Sequence, residues 1–187
     1  MIIGITGTNG AGKGTVVEYL VKEKGFKHYS ARELILTEIK RRGIHFDRNA
    51  LREVGNDLRL THGAAYVIKT LYNQAVRVGG NALLESVRAV SEVNFLRENG
   101  AVLLAVNADR PLRYQRSVAR GSETDKVDFG TWVEQEEAEW HNEAAHDMNV
   151  PAVMGMADAT LHNDGTHEEL FTQIDAALEK LGGTHAD

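Results

Sequence analysis

The sequence predicts an α/β protein built on a parallel β-sheet, and three observations carry that prediction. Short apolar runs at Ile2-Ile3-Gly4-Ile5, Asn81-Ala82-Leu83-Leu84-Glu85 and Val102-Leu103-Leu104-Ala105-Val106 read as buried strands. Stretches of helical periodicity separate them, and that alternation calls for right-handed crossovers with helices on both faces of one sheet. A glycine-rich turn, Gly7-Thr8-Asn9-Gly10-Ala11-Gly12-Lys13-Gly14-Thr15, joins the first run to the first helical pattern.

That turn is a phosphate cradle. A strand turning sharply into a helix aims backbone N–H groups and the positive end of the helix dipole at one point, and glycines let the backbone close on an anion. Lys13 can then reach the β- and γ-phosphates of a nucleoside triphosphate. Gly14 stands where Ser or Thr usually follows the lysine, so the hydroxyl comes one residue later, at Thr15.

The form GxxGxGKGT resembles the phosphate loop of nucleoside monophosphate kinases, the adenylate kinase group. The resemblance implies a three-layer α/β/α P-loop NTPase fold over residues 1–187, with a five-stranded parallel sheet. It also implies a helical acceptor-binding insertion at about 30–80, a small lid at about 116–131 and a frayed tail from 182. Gly7, Asn9, Gly10, Ala11, Gly12, Lys13, Gly14 and Thr15 would bind the nucleotide.

Composition narrows the alternatives. At 187 residues, 42% of them hydrophobic, the chain can bury one good core. Cysteine is absent, which excludes disulfides and thiolate zinc sites and fits a reducing compartment. Met1 runs directly into a strand, and no apolar run approaches a membrane span, so a cytoplasmic protein with no membrane partner is expected. A net charge of −6 favours small anionic substrates over polynucleotides.

The remaining elements follow in order. Lys13 to Lys24 reads as a helix stopped by Gly25, and Phe26 to Tyr29 as a strand. Ser30 and Glu33 form a capping box for a helix burying Leu34, Ile35 and Ile39. The same segment, His28-Tyr29-Ser30-Ala31-Arg32-Glu33-Leu34, resembles the kinase pattern H-x-S-x-x-D-L that opens the acceptor site. The family arginine a few residues on falls at Leu36, which makes Ser30 and Arg32 the acceptor candidates here.

Gly43 ends that helix and Asp47 caps the next, Arg48 to His62. Arg48, Arg52 and Arg59 share one face of it. A solvated charged stripe accounts for them, but Arg48 to Gly63 also resembles the acceptor-lining segment of small deoxynucleoside monophosphate kinases. On that resemblance Arg48 and Arg59 bind the acceptor. A helix from Ala64 to Val78 carries Ile68, Leu71, Tyr72 and Ala75 as its apolar, core-facing stripe.

Glu85 then ends a strand at the ligand edge of the sheet, three residues before Arg88. Glu85-Ser86-Val87-Arg88 is similar to the family's D-G-x-P-R, so Glu85 would help hold Mg²⁺ with Thr15, and Arg88 would meet the acceptor. A simple Glu85–Arg88 pair is the alternative. Ser91 is expected to cap a helix from Glu92 to Asn99.

Arg113, Arg116 and Arg120 fall on one face of the helix after the fourth strand. They resemble the arginine-bearing kinase lid, with Arg116 and Arg120 catalytic beside Lys13 and Arg88. A second lid helix is expected from about Thr131 to Met148, with Trp132, Trp140 and the acids between them packing and solvating it; His141 and His146 are spaced wrongly for a metal pair. A strand near Ala159 to His162 and a helix capped by Thr166 and Glu169 complete the chain. The resemblance implies ATP and Mg²⁺ as cofactors, small nucleotides as partners of a monomer or homodimer, and transfer of a phosphoryl group to a nucleoside or deoxynucleoside monophosphate. A dephospho-coenzyme A kinase and a kinase-like regulatory ATPase are the alternatives.

Overall fold

The computed structural model describes residues 1–121, 127–137, 140 and 148–182, and the backbone but not the side chain of Arg48. Five strands, β1 (Ile2–Gly7), β2 (Lys27–Ser30), β3 (Ala82–Glu85), β4 (Val102–Asn107) and β5 (Ala159–His162), form one sheet in the order β2-β3-β1-β4-β5. Every pairing is parallel. β1 is central, and the strand order reverses on either side of it, so the crevice beyond its carboxyl end is where an open α/β sheet takes its ligand.

Alternation along the strands sends side chains into two cores. Ile3, Ile5, Leu83 and Leu104 pack with α1 (Lys13–Lys24) and α9 (His167–Gly182) on one face. Ala82, Leu84 and Leu103 pack with α2 (Ala31–Arg42), α3 (Arg48–His62), α4 (Tyr66–Val78) and α5 (Val90–Glu98) on the other. Gly4 keeps β1 thin there, because a Cβ would come 2.6 Å from a methyl of Leu96.

Local signals behave as the residues dictate at most boundaries. Ser30 accepts from the Glu33 amide and Asp47 from the Ala50 amide, while Gly25 and Gly43 adopt the left-handed conformation that ends a helix. Thr166 and Glu169 make the reciprocal box, each side chain accepting from the other's amide.

One boundary differs. α5 starts before Ser91, with Ala89 as its N-cap, because the Glu92 carboxylate turns back to accept from the amides of Arg88 and Ala89. Ser91 is inside the first turn and donates to the Ala64 carbonyl.

α6 (Arg110–Arg120) follows β4, and the helix expected from Thr131 to Met148 is seen as α7 (Phe129–Glu137). Residues 138–139 and 141–147, which include His141 and His146, lie outside the described part, as do 122–126 of the expected lid and 183–187. The short α8 (Val150–Gly155), capped by Asn149 and opened by Pro151, was not expected from periodicity. Among the described residues no helix is long and apolar enough to cross a membrane.

Candidate active site

Between β1 and α1 the loop closes as a phosphate cradle must. Gly7, Gly10 and Gly12 have φ of 140°, 75° and 95°, conformations that a side chain resists. The space is also taken. A Cβ on Gly7 would lie 2.2 Å from the Val106 carbonyl oxygen, one on Gly10 2.1 Å from that of Arg113, and one on Gly12 2.0 Å from Nδ2 of Asn163. Gly14 is different, with nothing within 4 Å of its Cβ position.

Lys13 Nζ donates to the carbonyls of Gly7 and Thr8, 2.8 Å from each, so the ammonium stays over the loop. In and beside the loop, four buried polar atoms have no partner: Thr6 Oγ1, Thr8 Oγ1, Asn9 Nδ2 and Asn163 Oδ1. Groups of this kind are costly to bury unless a ligand or water completes them, which is what a nucleotide's phosphates and ribose could do.

Beside the loop lies a cavity of about 170 Å³. Seven of the residues expected at the site line it: Asn9, Lys13, Arg32, Arg59, Glu85, Arg88 and Arg120. Arg52, Ser86 and the apolar side chains of Ile35 and Leu51 join them. Among the described lining residues, five cations besides Arg59, which Glu92 balances, stand against one carboxylate, Glu85, a field suited to an anionic ligand. Arg32 leaves α2 over the ring of Phe46, 5.6 Å from its centre.

Glu85 ends β3 next to Lys13, as its place in the strand requires, but its hydrogen-bonding partner is His28 of β2, at 2.8 Å. Burial alone pushes the Glu85 carboxyl up; the His28 hydrogen bond and the charges of His28, Lys13 and Arg88 outweigh it and leave the group below the usual carboxylate range. The same hydrogen bond holds His28 above the usual imidazole range against burial. A parallel register that pairs His28 with Leu83 and Ser30 with Glu85 puts both side chains on one face. Ser86, directly after, is the one non-glycine residue with positive φ among those described, at 74°. Strain of this type collects at ligand edges.

Arg59 differs from the expected free phosphate arm. Its side chain is 1% exposed and Nε donates to Glu92 Oε1 at 2.7 Å, while Glu92 is 0% exposed. Nη1 is buried without a partner in the cavity wall. Gly55, one turn earlier, leaves room for it, since a Cβ there would be 3.3 Å from Nη1.

The three arginines of α6 go to three places. Arg113 is buried, paired with Glu136 of α7, and donates through Nε to the Ala108 carbonyl at 2.9 Å. Glu136 is thus a buried partner and not a solvating acid. Arg116 donates to the Asn163 carbonyl at 2.8 Å, away from the cavity. Arg120 is in the cavity wall, with Nη2 3.1 Å from Asn9 Oδ1.

Of the other expected site residues, Ser30 spends its hydroxyl on the α2 cap and lines a groove with His28, Leu34 and Tyr66, not the cavity. Thr15 opens on a groove between α1 and α9, with Tyr19, His167 and Phe171. The side chain of Arg48 lies outside the described part. Sequence reasoning missed His28, Glu92 and Glu136. Alternation in β2 could have placed His28 on the Glu85 face, whereas nothing local marks Glu92 or Glu136 as partners of distant arginines.

Fold and loop together define a P-loop protein with the kinase type of α/β fold. The chain belongs to the AAA domain family, whose model matches residues 3–142, and to the UPF0200 proteins. It is 30% identical to the UPF0200 protein of Thermococcus gammatolerans over 97% of this chain and 95% of that one. Identity to the Methanocaldococcus jannaschii member is 25%, over 97% and 90%.

Among solved structures, TT1252 from Thermus thermophilus superposes with a TM-score of 0.63 at 22% identity, covering 97% of each chain. Shikimate kinase from Aquifex aeolicus gives 0.54 at 17% over the whole of both chains. A gluconokinase from Sinorhizobium meliloti gives 0.56 at 15%, over 97% and 93%. At these identities the likeness is one of fold.

Proposed function

We propose that this protein transfers the γ-phosphoryl group of ATP to a nucleoside or deoxynucleoside monophosphate. The observation that carries the reading is the charge of the cavity lining: among the described residues Lys13, Arg32, Arg52, Arg88 and Arg120, with Arg59 balanced by Glu92, face a single lining carboxylate, Glu85, already held by His28. A hydroxyl acceptor of the sugar-kinase kind needs a base to take its proton. A phosphate acceptor is an anion that needs cations and no base. Leu51 and Ile35 add the apolar wall that a base ring would use.

In this reading the loop amides and Lys13 hold the ATP phosphates, while Arg88, Arg32 and Arg59 Nη1 receive the acceptor phosphate. The acceptor insertion is about 30–80 and the lid about 116–131. Glu85, which lines the cavity with Lys13, would be the protein oxygen that holds Mg²⁺; Thr15, expected beside it, opens instead on the groove between α1 and α9. The ion would neutralise phosphate charge. Catalysis by the chain itself is alignment and charge neutralisation, with no covalent intermediate.

ADP release measured over a panel of ribo- and deoxyribonucleoside monophosphates, dephospho-coenzyme A and no acceptor tests the reading. One monophosphate should accelerate release well above the rest, and Lys13→Ala should abolish that acceleration. Release that no monophosphate stimulates would sink it.

A further inference from the structure

Asn9 of the phosphate loop reaches α6 with its side chain. Its Oδ1 accepts from Arg120 Nη2 at 3.1 Å. Its Nδ2 is buried without a hydrogen-bond partner, on a residue that lines the cavity with Lys13 and Arg88. The orientation of the amide is fixed by chemistry, since a flipped amide would turn donor on donor at Arg120.

The backbone of the same residue is also tied down. Arg113 Nη1 donates to the Asn9 carbonyl at 3.3 Å, and the Arg113 carbonyl sits against Gly10. Glu136, 2% exposed, neutralises Arg113, and the buried Trp132 lies 5.4 Å over its guanidinium. α6 is therefore bolted to the loop one turn from its start, and Arg120, seven residues further along, meets the Asn9 side chain.

A loop that only needed amides for phosphate would gain nothing from burying an unmatched side-chain donor, which costs free energy unless a ligand completes it. We propose that the Asn9 side chain is a catalytic group with two ends: Oδ1 orients Arg120 over the cavity, and Nδ2 donates to an oxygen of the phosphoryl group in transfer. The donor set on that group is then Lys13, Arg120 and the Asn9 amide, in addition to the loop backbone. The inference rests on the phosphoryl-transfer reading above but not on which acceptor is used.

Binding of ADP with aluminium fluoride, a mimic of the phosphoryl group in flight, tests it without an acceptor, alongside ATP affinity and thermal stability. Asn9→Ala should weaken the mimic by about a hundredfold and ATP by less than about threefold, with little loss of stability. Asn9→Asp keeps the partner for Arg120 but removes the donor and turns a negative charge towards phosphate, so it should weaken the mimic at least as much. Arg120→Ala combined with Asn9→Ala should lose less than the product of the two single losses.

An Asn9→Asp protein that binds the mimic like the wild type overturns the proposal. So does an Asn9→Ala protein whose ATP and mimic affinities fall together with its melting temperature. A wild-type protein that binds neither ATP nor the mimic refutes instead the phosphoryl-transfer reading itself.

Discussion

Arg59 of α3 and Glu92 of α5 form an ion pair at 2.7 Å with side chains 1% and 0% exposed. Glu92 uses its other oxygen on the amides of Arg88 and Ala89, at 2.9 and 3.1 Å. One carboxylate therefore ties α3 to the segment that carries Arg88. Removing one member of such a pair leaves a buried charge alone, which costs about 3–5 kcal/mol.

Arg59→Ala and Glu92→Ala should each destabilise the protein by that order in urea unfolding. The Arg59→Met, Glu92→Leu double variant should recover part of the loss, since both charges go. Arg59→Ala cannot then be read as an acceptor-binding variant alone. Single losses below about 1 kcal/mol would show that the pair is not the desolvated strut its burial indicates.

Arg59 also marks what a sequence can and cannot tell. The alternation of strands and helices, the loop and the face of α3 are local or periodic properties, set by residues within a turn or two of one another, and they were legible; the order of the strands across the sheet is long-range and was not. Arg59 lines the cavity, but its partner is 33 residues on, and periodicity carries no information about such a distance. Arg113 and Glu136 are the same case. Ser91 misled because a serine near a helix start is a good cap, yet Glu92 reaches back from inside the helix and moves the boundary.

The loop glycines separate into two kinds. Gly10 has a positive φ and the Arg113 carbonyl in the path of any Cβ, so Gly10→Ala must move backbone, either in the loop or in α6. Gly14 sits exposed in the first turn of α1 with open space around it. Gly14→Ala should keep or raise the melting temperature, by the ~1 kcal/mol that alanine gains over glycine in a helix. Gly10→Ala should lose ATP binding measured by titration. Equal tolerance at the two positions would contradict the packing.

The His28–Glu85 pair makes stability depend on pH. A raised imidazole pKa contributes stability that is complete below the unfolded pKa and is lost as pH rises through the folded one. A lowered carboxyl pKa contributes above its unfolded value and is lost as pH falls through the folded one. The pair is thus strongest between the carboxylate and imidazole ranges. His28→Gln should lower the melting temperature most near about pH 6 and least near about pH 9, given ordinary values for the two groups. A deficit that stays constant across that range would mean that His28 acts by packing and not by charge.

Arg116 and Arg120 were expected to act together as lid arginines, and their surroundings now separate them. Arg120 is exposed at the cavity wall beside Asn9 Oδ1, where it can meet charge that develops during transfer. Arg116 instead donates to the Asn163 carbonyl, and Asn163 Nδ2 donates to the Ala11 carbonyl at 2.9 Å, so Arg116 supports the loop from the β5 side. An interaction made only in the transition state shows in kcat, whereas support for the ground-state cradle shows in nucleotide affinity. Arg120→Ala should lower kcat by about a hundredfold with ATP affinity nearly unchanged. Arg116→Ala should weaken ATP by about tenfold, the value of one hydrogen bond from a charged donor, and change kcat less. Nucleotide titration beside single-turnover kinetics on both variants decides it. If Arg116→Ala is the variant that loses kcat with intact ATP binding, the catalytic arginine of α6 is Arg116, and Arg120 has the supporting role.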